Sequence, residues 1–294
     1  MNKTILVTGA KGQLARSILQ HAAAWPQFRF VFADRTHLDI ADKAMTNAFF
    51  EQIGTVHYCL NCAAYTAVDK AESEPEQAFA INARGAENVA EACYRQGAAL
   101  LHFSTDYVYG GTANVPMKED DTVLPQGVYA QSKLEGEHLA MRANPFTAII
   151  RTSWVYSEYG HNFLKTMLRL GRERNELKVV FDQIGTPTYA GDLAKAALQI
   201  IQSVESGEHS KALLSGVYHF SNEGVASWYD FAVAIFELAG LEVKVHPIET
   251  KEFPTPAVRP AFSVLNKKKI KAAFGLEIAH WRTALAGIEG LREL

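Results

Sequence analysis

Along this chain short apolar runs alternate with longer stretches of helical periodicity, and that alternation leaves few architectures open. The runs cover Thr4–Thr8, Arg29–Ala33, Val56–Ala63, Ala99–Ser104, Thr147–Arg151 and Val217–Ser221. Strands without an exposed polar face, separated by helices, are those of a doubly wound α/β parallel sheet, buried on both sides. The clearest helix starts near Ser73 as N-cap, with Pro75 in its first turn, Glu74 and Glu76 complementing its dipole, and Gly97 closing it. From about Glu158 the pattern loosens, and Pro247, Pro254, Pro256 and Pro260 mark a smaller, loop-rich region. The expected division is a sheet domain over 1–155, with 185–235 returning to it, and a second region over 156–184 and 236–294. No internal repeat is visible.

Composition narrows the class of function. The 294 residues are 48% hydrophobic and 21% charged, enough for a large core. Twenty-nine basic residues against 32 acidic ones give a net charge of −3, which argues against a nucleic-acid partner. The short basic run Lys267-Lys268-Lys269 reads as a solvated helix face. The N-terminus enters the first strand without a signal-like apolar segment, and no window approaches the roughly 18 apolar residues of a membrane span. A cytoplasmic protein without membrane contact is expected. Cys59, Cys62 and Cys93 are too few for a disulfide framework and read as reduced thiols, with no metal site.

The first strand runs into Thr8-Gly9-Ala10-Lys11-Gly12-Gln13-Leu14-Ala15 and then a helix. Glycines here permit a tight turn and let a pyrophosphate approach the backbone at the helix N-terminus, a Rossmann-type arrangement. Asp34 ends the second strand, where a carboxylate accepts hydrogen bonds from an adenosine ribose. Arg35 follows, and a guanidinium there holds a 2′-phosphate instead, so both NADPH and NADH remain open. Asp39 and Ile40 are candidates for the adenine. Cys62, Ala63 and Ala64 are small where the backbone must run close to a dinucleotide.

Tyr129 and Lys133 lie four apart in a helical stretch and share one face. An ammonium beside a phenol favours phenolate and lowers its pKa from about 10, which makes a usable general acid or base. Ser104-Thr105-Asp106-Tyr107 leaves the end of a strand, where open α/β sheets place their ligands. Asn82 is a candidate link in a hydrogen-bonded relay, or a buried amide.

The combination of T-G-x-x-G, N-C-A-A, S-T-D-Y-V-Y-G and Y-x-x-x-K resembles the extended short-chain dehydrogenases/reductases. Four further blocks make the chain similar to the dTDP-4-dehydrorhamnose reductase family within them. They are Thr66–Glu72, Arg151–Tyr156, Asn162-Phe163 with Lys165–Leu168, and Pro254–Pro256 with Arg259-Pro260. The resemblance implies reduction of a 4-keto nucleotide sugar, in dTDP-rhamnose biosynthesis, by hydride from NADPH or NADH. It implies Tyr129 as proton donor, Thr105 as hydrogen-bond partner of the carbonyl oxygen, and Lys133 as the ribose-binding group that depresses the tyrosine. Val68, Asp69, Asp106, Tyr107, Trp154 and Arg259 fall on positions of the sugar-nucleotide site. Ser17 stands where an acidic metal ligand of the dimer contact would be sought, so metal-dependent pairing is not expected, and a homodimer is left open.

Two alternatives remain at this stage. An epimerase or dehydratase shares the scaffold, but dehydratases typically place Asp-Glu after the threonine, whereas Tyr107 follows Asp106 here. A non-catalytic dinucleotide-binding subunit would not need Thr105, Tyr129 and Lys133 together.

Overall fold

A computed structural model describes residues 2–111 and 113–294. Its centre is a six-stranded, wholly parallel sheet, built from β1 (Lys3–Thr8), β2 (Phe28–Ala33), β3 (Tyr58–Asn61), β4 (Ala99–Thr105), β5 (Thr147–Thr152) and the strand Gly216–His219. The spatial order is Gly216–His219, β5, β4, β3, β1, β2. The chain therefore reverses direction across the sheet at β1, and the crevice beyond the ends of β1 and β3 is the usual ligand position in such sheets. Each strand coincides with an apolar run, and in the central strands both faces are covered: Ile5 to Val7, Leu100 and Leu101, and Ile149 and Ile150 are all buried, whereas the edge strand β2 exposes Arg29.

Helices α1 (Gln13–Ala22), α2 (Lys43–Ile53), α3 (Val68–Ala71), α4 (Pro75–Phe79), α5 (Gly85–Arg95) and α6 (Gly127–Ala143) belong to this half. The helix expected from Ser73 to Gly97 is interrupted: a π-helical turn, Ala80–Arg84, separates α4 from α5. Ser73 is not its cap. The Ser73 hydroxyl donates to Lys70 O, and Glu74 occupies the capping position. Gly136 of α6 lies flush on that turn, where an added Cβ would come within 2.0 Å of Asn82 O. At the start of α6 the Glu72 carboxylate accepts from Val128 N at 2.8 Å, an anion where the helix dipole favours one.

A second core gathers α7 (Phe163–Glu173), α9 (Trp228–Ala239) and the C-terminal Trp281, Leu285 and Ile288. Between these elements α8 (Ala190–Glu205) packs back onto the sheet. Two boundaries differ from the sequence reading. The chain leaves the sheet half by Trp228 rather than at 235, because Phe231, Ala232 and Ile235 fill the second core. Residues 236–294 do not stay there, since α10 (Lys268–Phe274) sends Ile270 and Phe274 into the sheet's core. The basic run is not a solvated face throughout either: Lys267 is buried and pairs with Glu223 at 3.3 Å. Among the described residues no helix is long and apolar enough to cross a membrane.

Candidate active site

A cleft of about 660 Å³ lies over the ends of β1, β4 and β5. A second hollow of about 480 Å³ continues it over β2 and β3. Lys11, Gly12, Cys62, Ala64 and Thr66 line both, so the two form one elongated groove. The turn after β1 is glycine-dependent at Gly9, whose φ is +64° and where a Cβ would sit 2.8 Å from Ala63 N. Gly12 precedes α1 directly, and Gln13 and Leu14 carry that helix's first turn into the groove wall. Ala15, in the first turn of α1, is fully buried.

At the far end Asp34 is held on four sides. Lys11 Nζ lies 2.7 Å away, His37 Nδ1 2.8 Å, and the Thr36 amide and hydroxyl donate at 3.0 and 2.6 Å. These contacts, the Lys11 ammonium foremost, keep its carboxyl well below the ordinary carboxylate range. Arg35 donates instead to Asp39 at 3.0 Å. Asp34, Arg35, Asp39, Ile40 and Ala63 all line this end. The residues fit a dinucleotide: a helix N-terminus and glycine turn at the middle, a fixed carboxylate and a guanidinium at one end.

The other end carries Thr105, Asp106, Tyr107, Tyr129, Lys133, and across from them Val68 and Trp154. The Thr105 hydroxyl donates to Asp106 Oδ1 at 3.1 Å and accepts from Tyr107 N. Burial pushes Asp106 up to about 6, with the hydroxyls of Ser263 and Thr105 opposing. Lys133 is buried at 2% exposure and donates to Phe103 O at 2.6 Å. Its amine is pushed down to about 8 by burial, against the charge of Glu137. Tyr129 departs from expectation. Its phenol is pushed up to about 12 by burial, relieved by the Thr105 hydroxyl rather than by Lys133, whose ammonium is committed to the β4 backbone.

The groove wall does not include Asn82, Asp69 or Arg259. Asn82 bridges Tyr65, through both its backbone N and O, to the Ser132 hydroxyl, tying the loop after β3 to α6. Arg259 grips Asp69 with two parallel bonds of 2.9 and 2.7 Å, and both charges act on Tyr107. Trp228, which lines the groove, carried no sequence signal. Trp228 stacks on Trp154 with centroids 3.6 Å apart, and Phe163 leans on Trp228. Gln13 accepts from the Ser157 hydroxyl and from Asn162 Nδ2, which joins the cofactor turn to the start of α7.

Comparison with known proteins agrees with this geometry. The family described as RmlD substrate binding domain matches residues 2–289. The dTDP-4-dehydrorhamnose reductase of Aggregatibacter actinomycetemcomitans is 43% identical over 98% of this chain and 99% of its own. The chain belongs to the dTDP-4-dehydrorhamnose reductase family. A crystal structure of a family member from Clostridium acetobutylicum superposes with a TM-score of 0.92 at 42% identity, covering 99% of this chain and 100% of that one. The Bacillus anthracis reductase, solved in complex with NADP, gives 0.90 at 37% identity over 97% of both chains. The family assignment also accounts for the wholly parallel sheet with its second, smaller core.

Proposed function

We propose that this protein reduces the 4-keto group of dTDP-4-dehydro-L-rhamnose to give dTDP-L-rhamnose, with NADPH as the preferred donor and NADH as the alternative. One observation carries the reading: Thr105, Tyr129 and Lys133 share one end of a groove whose other end is shaped for a dinucleotide. The Bacillus anthracis relative, which binds NADP, supports the choice of donor.

Gly9, Gly12 and the first turn of α1 would hold the pyrophosphate, and Asp34 with Arg35 the adenosine end. The bound nicotinamide supplies the hydride. Tyr129 Oη gives its proton to the oxygen at C4 as that oxygen gains negative charge. A phenol kept protonated by burial suits this direction of reaction, because the acid must carry its proton until the alkoxide forms. Thr105 Oγ1 orients the same oxygen, and Lys133 holds the ribose side of the groove. Val68 and Trp154 form the wall against which the sugar lies, while Asp69 and Arg259 act behind it through Tyr107. Tyr107 itself is raised above an ordinary phenol by burial, so it offers no base for eliminating water. A cytoplasmic place of action is part of this reading.

The test is stoichiometry. Incubated with the keto sugar and NADPH, the protein should oxidise one equivalent of NADPH per sugar nucleotide. Interconversion of sugars without net oxidation would replace the reductase with an epimerase.

A further inference from the structure

Beneath Lys133 a row of polar side chains crosses β1, β3 and β4. Thr8 of β1 is in register with Asn61 of β3, and Asn61 with His102 of β4, so the three side chains stand side by side on one face. All three are buried, with exposures of 0%, 1% and 1%. Thr8 Oγ1 donates to Asn61 Oδ1 at 2.6 Å and accepts from Ala63 N at 3.1 Å, in the small-residue segment that lines the cofactor groove. Asn61 Nδ2 meets His102 Nδ1 at 3.0 Å, and His102 Nε2 faces Lys133 Nζ at 3.4 Å.

Hydrogen-bond accounting fixes the protons along this row. The Thr8 hydroxyl already accepts from Ala63 N, and its own proton has Asn61 Oδ1 as acceptor. The amide oxygen of Asn61 therefore faces Thr8, and its NH₂ faces His102. Nδ1 of His102 must then accept. Burial and the neighbouring Lys133 keep the imidazole neutral, so its one proton is on Nε2, aimed at Lys133 Nζ. A buried N–H pointing at an ammonium disfavours the charged form and leaves a donor ready for the neutral amine.

We propose that His102, locked as its Nε2–H tautomer by Asn61 and Thr8, is a positioning residue that lowers the proton affinity of Lys133. The inference rests on the reductase reading for its purpose, but not for its measurement. The other groups facing Lys133 are Phe103 O on β4, Tyr129 and Glu137 on its own helix, and Cys62 beyond β3. Glu137, paired in turn with Arg151 of β5, acts in the opposite direction and favours the protonated amine. None of them offers Lys133 a fixed N–H, which singles out His102.

The experiment is nuclear magnetic resonance on the full chain, with labelled histidine to read the His102 tautomer and labelled lysine to titrate Lys133, assigned by its loss in Lys133→Met. His102 should show Nε2–H in the wild type. In His102→Leu the Lys133 midpoint should rise by about one pH unit. In His102→Gln, which restores an acceptor toward Asn61 and a donor toward Lys133, the midpoint should return to the wild-type position. The alkaline limb of kcat/KM should move with it. An Nδ1–H tautomer, or an unmoved midpoint in His102→Leu, overturns the proposal. If His102→Leu does not fold, the wild-type tautomer decides alone. Absence of turnover in the wild type would refute the reductase reading while leaving the titration result intact.

Discussion

The indole of Trp154 lies flat on that of Trp228, 3.6 Å apart and 7° from parallel, while the Trp154 backbone holds a φ of +48°. A bulky residue in the left-handed region is strained, and the strain persists only where packing over-determines it. Here Gly185 completes the clamp, since a Cβ at that position would lie 2.6 Å from the Trp154 ring. Trp228 is itself fixed, its indole N–H donating to Gln183 at 3.1 Å. Replacing the backing ring should release the wall of the sugar site without touching the proton donor. Trp228→Leu is expected to raise KM for the sugar nucleotide about tenfold, with kcat and the cofactor Kd nearly unchanged. Steady-state kinetics with each ligand varied in turn separates these quantities, and an equal loss in kcat would place Trp228 in the chemical step.

Tyr129→Phe removes one hydroxyl and keeps the ring that meets Tyr107 edge-on at 5.8 Å. Dinucleotide binding should survive. Turnover should fall by about 10²–10⁴-fold, the usual worth of a positioned general acid. Fluorescence titration with NADPH beside single-turnover kinetics checks both halves, and near-normal turnover would remove Tyr129 from the mechanism.

How much of this was legible depends on the range of the force involved. The six sheet strands are visible because buried parallel strands must be apolar from end to end, and the Gly9 turn because its backbone admits little else. The residues of the turn after β1 follow from those two constraints, whereas Tyr129 and Lys133 are visible only through their helical spacing and, with Thr105, through the family resemblance. The break at Ala80–Arg84 is not visible, because the surface it packs against, Gly136 of α6 flush on Asn82 O, lies more than fifty residues away in sequence. Likewise nothing local distinguishes His102 or Trp228 from a core residue. Their partners, Lys133 and Trp154, lie on other elements, and only the fold brings them together.

Asp34 and Arg35 answer the question of the donor. Removing the carboxylate in Asp34→Ala takes away the ribose acceptor and frees Lys11 and His37, leaving positive charge beside Arg35. NADH use should suffer more than NADPH use, and the ratio of their kcat/KM values should shift toward NADPH by about tenfold, the scale of one charge-assisted hydrogen bond. A shift toward NADH would mean that Arg35, not Asp34, sets the preference.

Asp106 is only 2% exposed, and burial raises its carboxyl to about 6. A carboxyl whose folded pKa lies above its unfolded one binds the proton more tightly when folded. Its charge therefore destabilises the fold above that pKa, and the penalty disappears as pH falls through 6 toward 4. Asp106→Asn should be more stable than wild type at pH 8 by up to about 3 kcal/mol, and indistinguishable from it near pH 4. Thermal unfolding across that range tests the sign. A variant less stable at pH 8 would show that the charge is already compensated.

Glu137 and Arg151 form the buried ion pair that seats α6 on the sheet. Arg151 donates from Nε and Nη2 to both carboxylate oxygens, Ser104 adds a third donor, and the two charged side chains are 0% and 5% exposed. Desolvating two charges consumes much of what their attraction returns, so the pair is worth little net; removing one partner is another matter, because the remaining charge is stranded. Arg151→Met should cost about 3–5 kcal/mol in chemical denaturation. Glu137→Leu combined with Arg151→Met should recover most of that loss, since no buried charge remains. Recovery of stability need not bring back turnover, because Glu137 sits one helical turn from Lys133 and its charge supports the protonated amine. The double variant is thus expected to fold well, bind dinucleotide, and lose activity at a lower pH than wild type; a double variant as unstable as Arg151→Met alone would mean that packing around the pair, rather than its charge, holds α6 in place.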